Sequence, residues 1–345
     1  METILFLAHV DGDGSLSKPA LEALGAARAL HALLPGSNLV AGLIGENVQV
    51  AANQIAACGA SKFLGVAGPD LAPSRYATDA AAAEALCKTA SATIVVAAGT
   101  ARVSRCLPGV AQRLGGRIDT HVTSVSADGG KVTIARWYYR QRMEAAIQRT
   151  TRPWFIVLDP GSQPAWQGDG GAATVEAVAV SLPDACKRTT VTGLREPAAD
   201  AQTIRPDADL LFVTGAGWTK KQADGQTHLA EAEKLILGFL KLTRASLGSS
   251  KSLVDLGSEG QAVLSFLSHL NQIGQTGATP RHPKGLSTCC HGEEPHTVGW
   301  RFIAERRALS LDPNCGWARG KADVLYVADA FQVMAKVNEL LAGKT

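Results

Sequence analysis

Short apolar runs and longer segments of helical periodicity alternate along roughly the first third of the chain. Such short runs are typical of strands covered on both faces. Between Ser17 and Leu33, apolar residues recur at helical spacing, and Pro19 lies in the first turn. The predicted strands cover 4–8, 40–44, 62–66 and 93–97, and the predicted helices cover 18–33, 47–58, 77–90 and 102–114. The alternation predicts an α/β domain, a Rossmann-like parallel sheet with helices on both faces.

From residue 118 onward the pattern changes to extended segments joined by turns. The sequence DGG at 128–130 is typical of a turn between neighbouring strands. The predicted strands cover 118–125, 131–137, 154–158, 176–181 and 189–194. We therefore expect the first domain to end in an antiparallel extension of its sheet.

A polar segment at 195–202 separates this region from a second alternating pattern. The apolar sequence LLFVT at 210–214 begins the new alternation. The predicted strands cover 210–214, 252–256, 306–311 and 323–327, and the predicted helices cover 229–245, 260–270 and 329–341. We place the boundary near residue 203, which predicts two α/β domains over 1–203 and 204–345.

Composition and charge exclude several classes of protein. The 345 residues are 46% hydrophobic and 19% charged, so the chain can bury a core. The net charge is only +3, from 34 basic and 31 acidic residues, which argues against a nucleic-acid partner. No apolar run reaches the roughly 18 residues that cross a bilayer, and the opening residues lack the basic start of a secretory signal. We expect a cytoplasmic protein without membrane insertion.

Cysteine usage points away from disulfides and metals. The seven cysteines are an odd number and form no CxxC pattern, which fits reduced thiols. Cys289 and Cys290 stand near two histidines, but adjacent cysteines chelate one ion poorly. We interpret both as small buried residues and predict no metal site.

Three glycine-containing segments of the second domain suit a ligand. VTGAG at 213–217 ends a predicted strand, where α/β sheets bind ligands, although a tight turn is the alternative. GSSKSLVD at 248–255 offers Ser250 and Lys251 to a phosphate but does not match a P-loop, and a solvated polar loop is the alternative. QIGQTG at 272–277 makes a tight loop with side-chain donors.

The order of these segments resembles the electron transfer flavoprotein α subunit family. That family carries SGGRG, GASRAAVDAG, QVGQTG, GISGAIQH, AINKDP and VADYG in turn. The corresponding segments here are VTGAG at 213–217, GSSKSLVDLG at 248–257, QIGQTG at 272–277, CHGEEPH at 290–296, ALSLDP at 308–313 and KADVL at 321–325. The N-terminal ILFLAH at 4–9 and GSLSKPA at 14–20 are also typical of the family, so the resemblance covers nearly the whole chain.

The resemblance implies an electron-carrier subunit rather than an enzyme with its own substrate, and it implies no catalytic residue. In the family the α subunit pairs with a β subunit and binds FAD, mostly in its C-terminal flavodoxin-like domain. The flavin takes electrons from a primary dehydrogenase and passes them to a quinone reductase. The resemblance places the β-subunit contact on the N-terminal domain.

The resemblance also implies a role for each matched residue. Thr276 would offer its hydroxyl to flavin N5, and His296 would bond near the flavin C2 carbonyl. Lys251 stands where the family has an arginine against the flavin, so the charge persists without the planar fork. The remaining implied FAD contacts are Ser250, Gly274, Gln275 and Gly277 near the pyrophosphate or ring edge, Asp323 on the adenosine half, and Ser310, a shorter donor where the family has an asparagine.

Other interpretations remain open at the level of sequence. Lys251 is alternatively a surface lysine, and His296 is alternatively an ordinary helix-start residue after Pro295. The eroded motifs at 290–296 and 308–313 leave a flavin-free structural subunit of the same fold as the alternative function. An α/β hydrolase is disfavoured because no GxSxG sequence is present.

Overall fold

The computed structural model consists of two compact units, Met1–Leu194 and Arg195–Thr345. It describes residues 1–138, 143–193, 205, 208–255, 263–273, 281–288, 303–315, 318–319 and 322–343, with the side chains of Lys251 and Ser252 outside that description. The predicted boundary near residue 203 also lies outside the described residues and stays a prediction. No helix in these ranges is both long and apolar enough to cross a membrane.

The first unit contains a mixed sheet with nine strands among its described residues. They are β1 Thr3–His9, β2 Asn38–Gly45, β3 Lys62–Ala67, β4 Ile94–Ala98, β5 Arg117–Asp128, β6 Lys131–Tyr138, β7 Met143–Gln148, β8 Trp154–Leu158 and β9 Val175–Ala177. The strand order is β7-β6-β5-β8-β4-β1-β2-β3-β9. In this order, every neighbouring pair from β5 through β8, β4, β1, β2 and β3 to β9 is parallel. The pairs β5–β6 and β6–β7 are antiparallel.

Helices cover both faces of the parallel part, as the alternation predicts. They are α1 Lys18–Leu33, α2 Gln49–Gln54, α3 Tyr76–Thr89 and α4 Ala101–Arg113. Alternate residues of β1 serve the two faces, since Phe6 packs in the core with α1 and Leu7 in the core with α3 and α4. Both side chains are buried, which explains why the strand has no polar alternation.

Two sequence predictions for the end of this unit are corrected, and one strand was not predicted. The strand predicted at 176–181 is the short β9, which pairs in parallel with β3 instead of joining the antiparallel extension. The described part of 189–194 forms no strand. The strand not predicted is β7, because alanine and glutamate give its sequence MEAAIQ a low strand propensity. Its side chains are largely exposed, as fits an edge strand.

The second unit contains an all-parallel sheet with five strands among its described residues. They are β10 Leu210–Thr214, β11 Ser246–Ser249, β12 His282–Thr288, β13 Ile303–Ser310 and β14 Val324–Val327. The helices are α5 Leu229–Thr243, α6 Lys251–Asp255 and α7 Ala330–Ala342. The order β11-β10-β12-β13-β14 is the flavodoxin-like arrangement, which confirms the predicted class of two α/β domains.

Two predictions for this unit are wrong in detail, and one strand was missed. Most of the segment predicted as a strand at 252–256 belongs to α6. The strand is β11, which lies just before it in the chain. β12 was missed because HPKGLST is mostly polar. Of the helix predicted at 260–270, residues 263–268 are not helical, and a 3₁₀ turn, His269–Asn271, follows a capping box at Ser268. Residues 256–262 lie outside the description.

Candidate functional site

Buried hydroxyl groups lie at the carboxyl ends of four neighbouring strands of the second sheet. The register sets Thr214 of β10 beside Ser249 of β11 on one side and beside Thr288 of β12 on the other. All three are completely buried. Ser250 follows the end of β11 and Ser310 is the last residue of β13, so both lie at the same edge, and both are buried. We call these five residues, Thr214, Ser249, Ser250, Thr288 and Ser310, the hydroxyl edge.

The hydroxyl edge spans the point where the strand order reverses. β10 is the first strand of the unit, and the chain continues to β11 on one side and to β12 on the other. Connections leave in opposite directions at this point, and open α/β sheets have their ligand crevice at such a point, which here lies above the carboxyl ends of β10 and β12. The glycine-containing segment at 215–217 follows β10 directly at this position. That this segment borders a ligand site stays a prediction.

A buried hydrogen-bond network fixes the backbone at the crevice. Trp218 donates its Nε1 proton to Thr288 Oγ1 over 2.8 Å, and Thr288 Oγ1 donates to the Val213 carbonyl over 3.0 Å. The Gly215 N–H donates to the Thr288 carbonyl over 2.9 Å. Trp218 also packs on Phe331 of α7, with ring centroids 4.7 Å apart. These contacts hold the β10 loop against β12 with neutral groups alone.

The other side of β10 is fixed in the same way. Thr214 Oγ1 donates to the Gly248 carbonyl over 3.1 Å, and the Ser250 N–H donates to the Thr214 carbonyl over 3.0 Å. Ser250 Oγ then accepts from the Leu253 N–H over 3.3 Å, so this serine caps α6. Lys251 is the first residue of α6, and its side chain lies outside the description.

One hydroxyl of the edge has no hydrogen-bond partner among the described residues. It is Ser249 Oγ, which is buried. An unpaired buried hydroxyl is costly unless a ligand or water satisfies it. Beside it, the Ile273 N–H donates to the Ser249 carbonyl over 3.2 Å, and Gln272 bridges to Ser249 in parallel.

Several predicted contacts lie beyond the described residues. They are Gly274, Gln275, Thr276, Gly277 and His296. Their roles stay predictions. Cys289 and Cys290 are also outside the description, and within it no group of three or more His, Cys, Asp or Glu residues could hold a metal ion.

Ser310 and Asp323, both predicted as FAD contacts and Asp323 for the adenosine half, lie in different places. Ser310 ends β13 at the hydroxyl edge, and its Oγ accepts from the Asp312 N–H over 3.2 Å. Asp323 precedes β14 beside Arg306, about 13 Å before the end of β13 at about 3.3 Å per residue. Its carboxylate accepts from the Arg306 N–H at 2.6 Å and from Arg306 Nη2 at 3.1 Å. Hydrogen bonds from the Arg306 backbone and side chain lower the pKa of Asp323. The structure does not bring Asp323 to the hydroxyl edge.

Asp329 is an acidic residue that the structure places at that edge. It lies two residues after β14, and its Oδ1 accepts from the Gln332 N–H over 3.0 Å as the cap of α7. It was not among the contacts predicted from the sequence, although an aspartate between an apolar strand and an amphipathic helix is a recognisable signal for a helix start at the carboxyl edge. Asp329 joins Ser310 as a candidate contact on this side of the sheet.

Comparisons with known proteins agree with this architecture. Residues 4–185 match the family model described as the electron transfer flavoprotein domain, which is more than half of the chain. The chain is also 26% identical over 331 residues to the electron transfer flavoprotein subunit alpha of Bacillus subtilis (strain 168). That similarity covers 95% of this chain and 94% of the relative, so it includes both units. The chain therefore belongs to the electron transfer flavoprotein family and is an α-subunit-like member.

Proposed function

We propose that this chain is the α subunit of a heterodimeric electron transfer flavoprotein that binds FAD in its second unit. The observation that carries the proposal is the hydroxyl edge at the strand-order reversal of a flavodoxin-like sheet. Similarity to an α subunit over nearly the full length supports the same assignment.

The residues of the crevice fit the polar parts of a dinucleotide. Hydroxyls and backbone N–H groups at the carboxyl edge are the donors that a pyrophosphate accepts, and the unpaired Ser249 hydroxyl is available there. Lys251, at the start of α6, would supply a counter-charge. FAD, when bound, supplies the capacity to accept and release electrons.

The protein would hold and orient the cofactor through this chain's own residues. The Trp218–Thr288 contact keeps the 215–217 backbone in one position, so its N–H groups are fixed before a ligand arrives. Gln275, Thr276 and His296 would contact the flavin end, whereas Ser310 and Asp329 would face the adenosine end. Gly274 and Gly277 would let the backbone approach the cofactor closely.

The partners follow from the same proposal. The N-terminal unit, with its antiparallel extension β5–β7, would dock the β subunit. Electrons would come from a primary dehydrogenase and leave to a quinone reductase. The largely exposed edge strand β7 offers unpaired backbone groups of the kind that partner chains use.

Co-expression with the β subunit tests the proposal. We expect the purified pair to show a flavin absorption spectrum and to release FAD on acid denaturation, in an amount equal to the chain. Ser250→Ala should weaken FAD retention about tenfold, because losing one hydrogen bond worth roughly 1.4 kcal/mol lowers the binding constant by that factor. Ser126→Ala, in exposed β5, is the matched control and should leave retention unchanged. A stable but colourless heterodimer would instead favour a flavin-free structural subunit.

A further inference from the structure

A cleft of about 770 Å³ opens in the first unit, between the amino-terminal end of β1 and the antiparallel extension. Its walls come from the residues just before β1, the start of β6 and the loop between β7 and β8. The lining residues that matter below are Glu2, Lys131, Arg149, Thr150, Thr151 and Arg152. No part of the cleft belongs to the hydroxyl edge of the second unit.

Two guanidinium groups at this cleft are held in fixed orientations. Arg152 donates to the Glu2 carboxylate from Nη2 at 2.6 Å and from Nε at 3.0 Å. Arg149 donates from Nη2 to Asp119 Oδ1 at 2.8 Å and from Nε to Asp119 Oδ2. Asp119 is completely buried, so the Arg149 side chain is anchored to the core. Anchored cations lose little side-chain entropy when an anion binds.

Lys131 and Thr150 both line the cleft. The antiparallel ladder of β6 and β7 ends at the pair Thr133 and Gln148; Lys131 begins β6, and Thr150 follows the end of β7 by two residues. Lys131 is exposed and makes no ion pair within the described residues. The hydroxyls of Thr150 and Thr151 likewise make no hydrogen bond in the described part of the chain, so both can donate to a ligand.

The local charge balance favours an anion. Glu2 and Arg152 neutralise each other. Asp119 is shared by Arg149 and Arg136, whose Nη1 lies 3.3 Å from its Oδ1, which leaves one positive charge. Lys131 adds a second, and the exposed Asp128 opposite it in the β5–β6 register offsets that second charge in part. A phosphate monoester carries a charge of about −1.5 to −2 near pH 7 and three acceptor oxygens.

We propose that this cleft binds a small molecule through a phosphate monoester group. Lys131 would supply the mobile charge, Arg149 the fixed positive field, and Thr150 and Thr151 hydroxyl donors to the phosphate oxygens. The volume lies within the range of roughly 300–1,000 Å³ typical of small-molecule sites, so the organic part of the ester also fits. The site is independent of the proposed flavin function.

Isothermal titration calorimetry on the full chain tests this proposal with phenyl phosphate as the probe. We expect saturable binding of one phenyl phosphate per chain, with phenyl sulfate, a monoanion of similar shape, binding at least fivefold more weakly. Lys131→Gln should weaken phenyl phosphate binding about tenfold without lowering Tm. Lys241→Gln, an exposed lysine on α5, is the matched control and should leave binding unchanged. Thr150→Val provides a second variant with a severalfold loss.

Three results would overturn the proposal. The first is no saturable binding of phenyl phosphate. The second is equal binding of phenyl sulfate and phenyl phosphate that Lys131→Gln does not change, because a non-specific anion effect would explain it. The third is binding of succinate or of an oligoglutamate peptide without binding of phenyl phosphate, which would assign the cleft to carboxylates instead.

Discussion

The two units bury their polar side chains in different ways. In the first unit two buried carboxylates, Asp79 and Asp119, pair with arginines of other elements, such as Asp79 of α3 with Arg102 of α4. Among the described residues of the second unit the buried polar groups are mostly hydroxyls, and five of them share one edge of the sheet. Charges that neutralise each other stabilise a fold, whereas a strand-end hydroxyl whose proton is not already donated, such as Ser249, remains able to bond a ligand. The same α/β layering thus provides a scaffold in one unit and a candidate site in the other.

Two carboxylates show how the first unit uses charge. Asp79 accepts from Arg102 Nη2 at 2.7 Å, and Arg105 Nη2 lies 3.3 Å from its other oxygen. Asp119 accepts from Arg149 and from Trp154 Nε1 at 2.9 Å. Burial alone would raise the pKa of each carboxyl group, but the neighbouring donors and positive charges lower it overall. Both groups are therefore ionised at neutral pH and act as clamps between elements.

Removing the Asp119 charge should have the largest effect. Asp119→Asn leaves the guanidinium groups of Arg136 and Arg149 without their shared carboxylate, and breaking a buried pair typically costs about 3–5 kcal/mol. We expect a loss of that size in the free energy of unfolding measured with urea. Asp128→Asn, in the exposed β5–β6 turn, is the control. If the two variants were equally stable, the claim that buried charge pairs stabilise the first unit would be contradicted.

Breaking the network of the second unit should cost less. Trp218→Phe keeps an aromatic ring against Phe331 but loses the proton donated to Thr288, a change of about 1–3 kcal/mol. We expect a lower free energy of unfolding together with faster flavin loss from the co-purified pair. Trp166→Phe, in the core of the first unit, should leave flavin loss unchanged. Unchanged flavin loss in Trp218→Phe would show that the network does not position the site.

The first unit should also lose stability in mild acid because of His9. Its Nε2 lies 3.5 Å from Asp79 Oδ1 without a hydrogen bond, close to Arg102 and Arg105. Burial lowers the pKa of His9 from its ordinary value of 6.5, against the raising effect of Asp79. The unfolded chain therefore binds a proton below pH 6.5 that the folded chain does not.

The contribution of His9 to the free energy of unfolding is complete above pH 6.5. It declines as the pH falls through the lowered pKa, by at most about 1.4 kcal/mol per pH unit. Urea titrations between mild acid and neutrality should show this slope, and His9→Gln should reduce it. His269→Gln, whose side chain is 68% exposed, should not. An identical slope in His9→Gln would assign the acid sensitivity to other groups.

The smallest expected change in stability comes from Ser249. It best distinguishes buried polar groups that stabilise the fold from those that bind a ligand. Ser249→Ala removes an unpaired buried hydroxyl, so the flavin-free chain should keep or gain up to about 1 kcal/mol of stability. FAD retention should nevertheless fall, because a donor toward the cofactor is lost. Ser126→Ala serves again as the control. A destabilised flavin-free chain with normal FAD retention would make Ser249 a structural residue.

Strands were predicted correctly from the sequence where an apolar run is buried on both faces of the sheet. The apolar runs of β1, β2, β4 and β8 are covered on both faces, so composition alone predicts them. It failed at β12, which is mostly polar, and at β7, whose alanines and glutamate give a low strand propensity; both become strands because neighbouring strands provide hydrogen bonds. It also misassigned α6, because LVD is apolar enough for a strand while the Ser250 cap decides for a helix.

By itself, the sequence determined the alternation of strands and helices, the division into two α/β regions and the glycine and hydroxyl motifs. Only the tertiary structure decided which of these residues meet. Thr214, Ser249, Thr288 and Ser310 are separated by many residues in the chain but end adjacent strands. Asp323 and Asp329 are six residues apart, yet only Asp329 follows the carboxyl end of β14. The reason is physical: burial of a run is a local property, whereas strand order depends on connections that the local pattern does not encode.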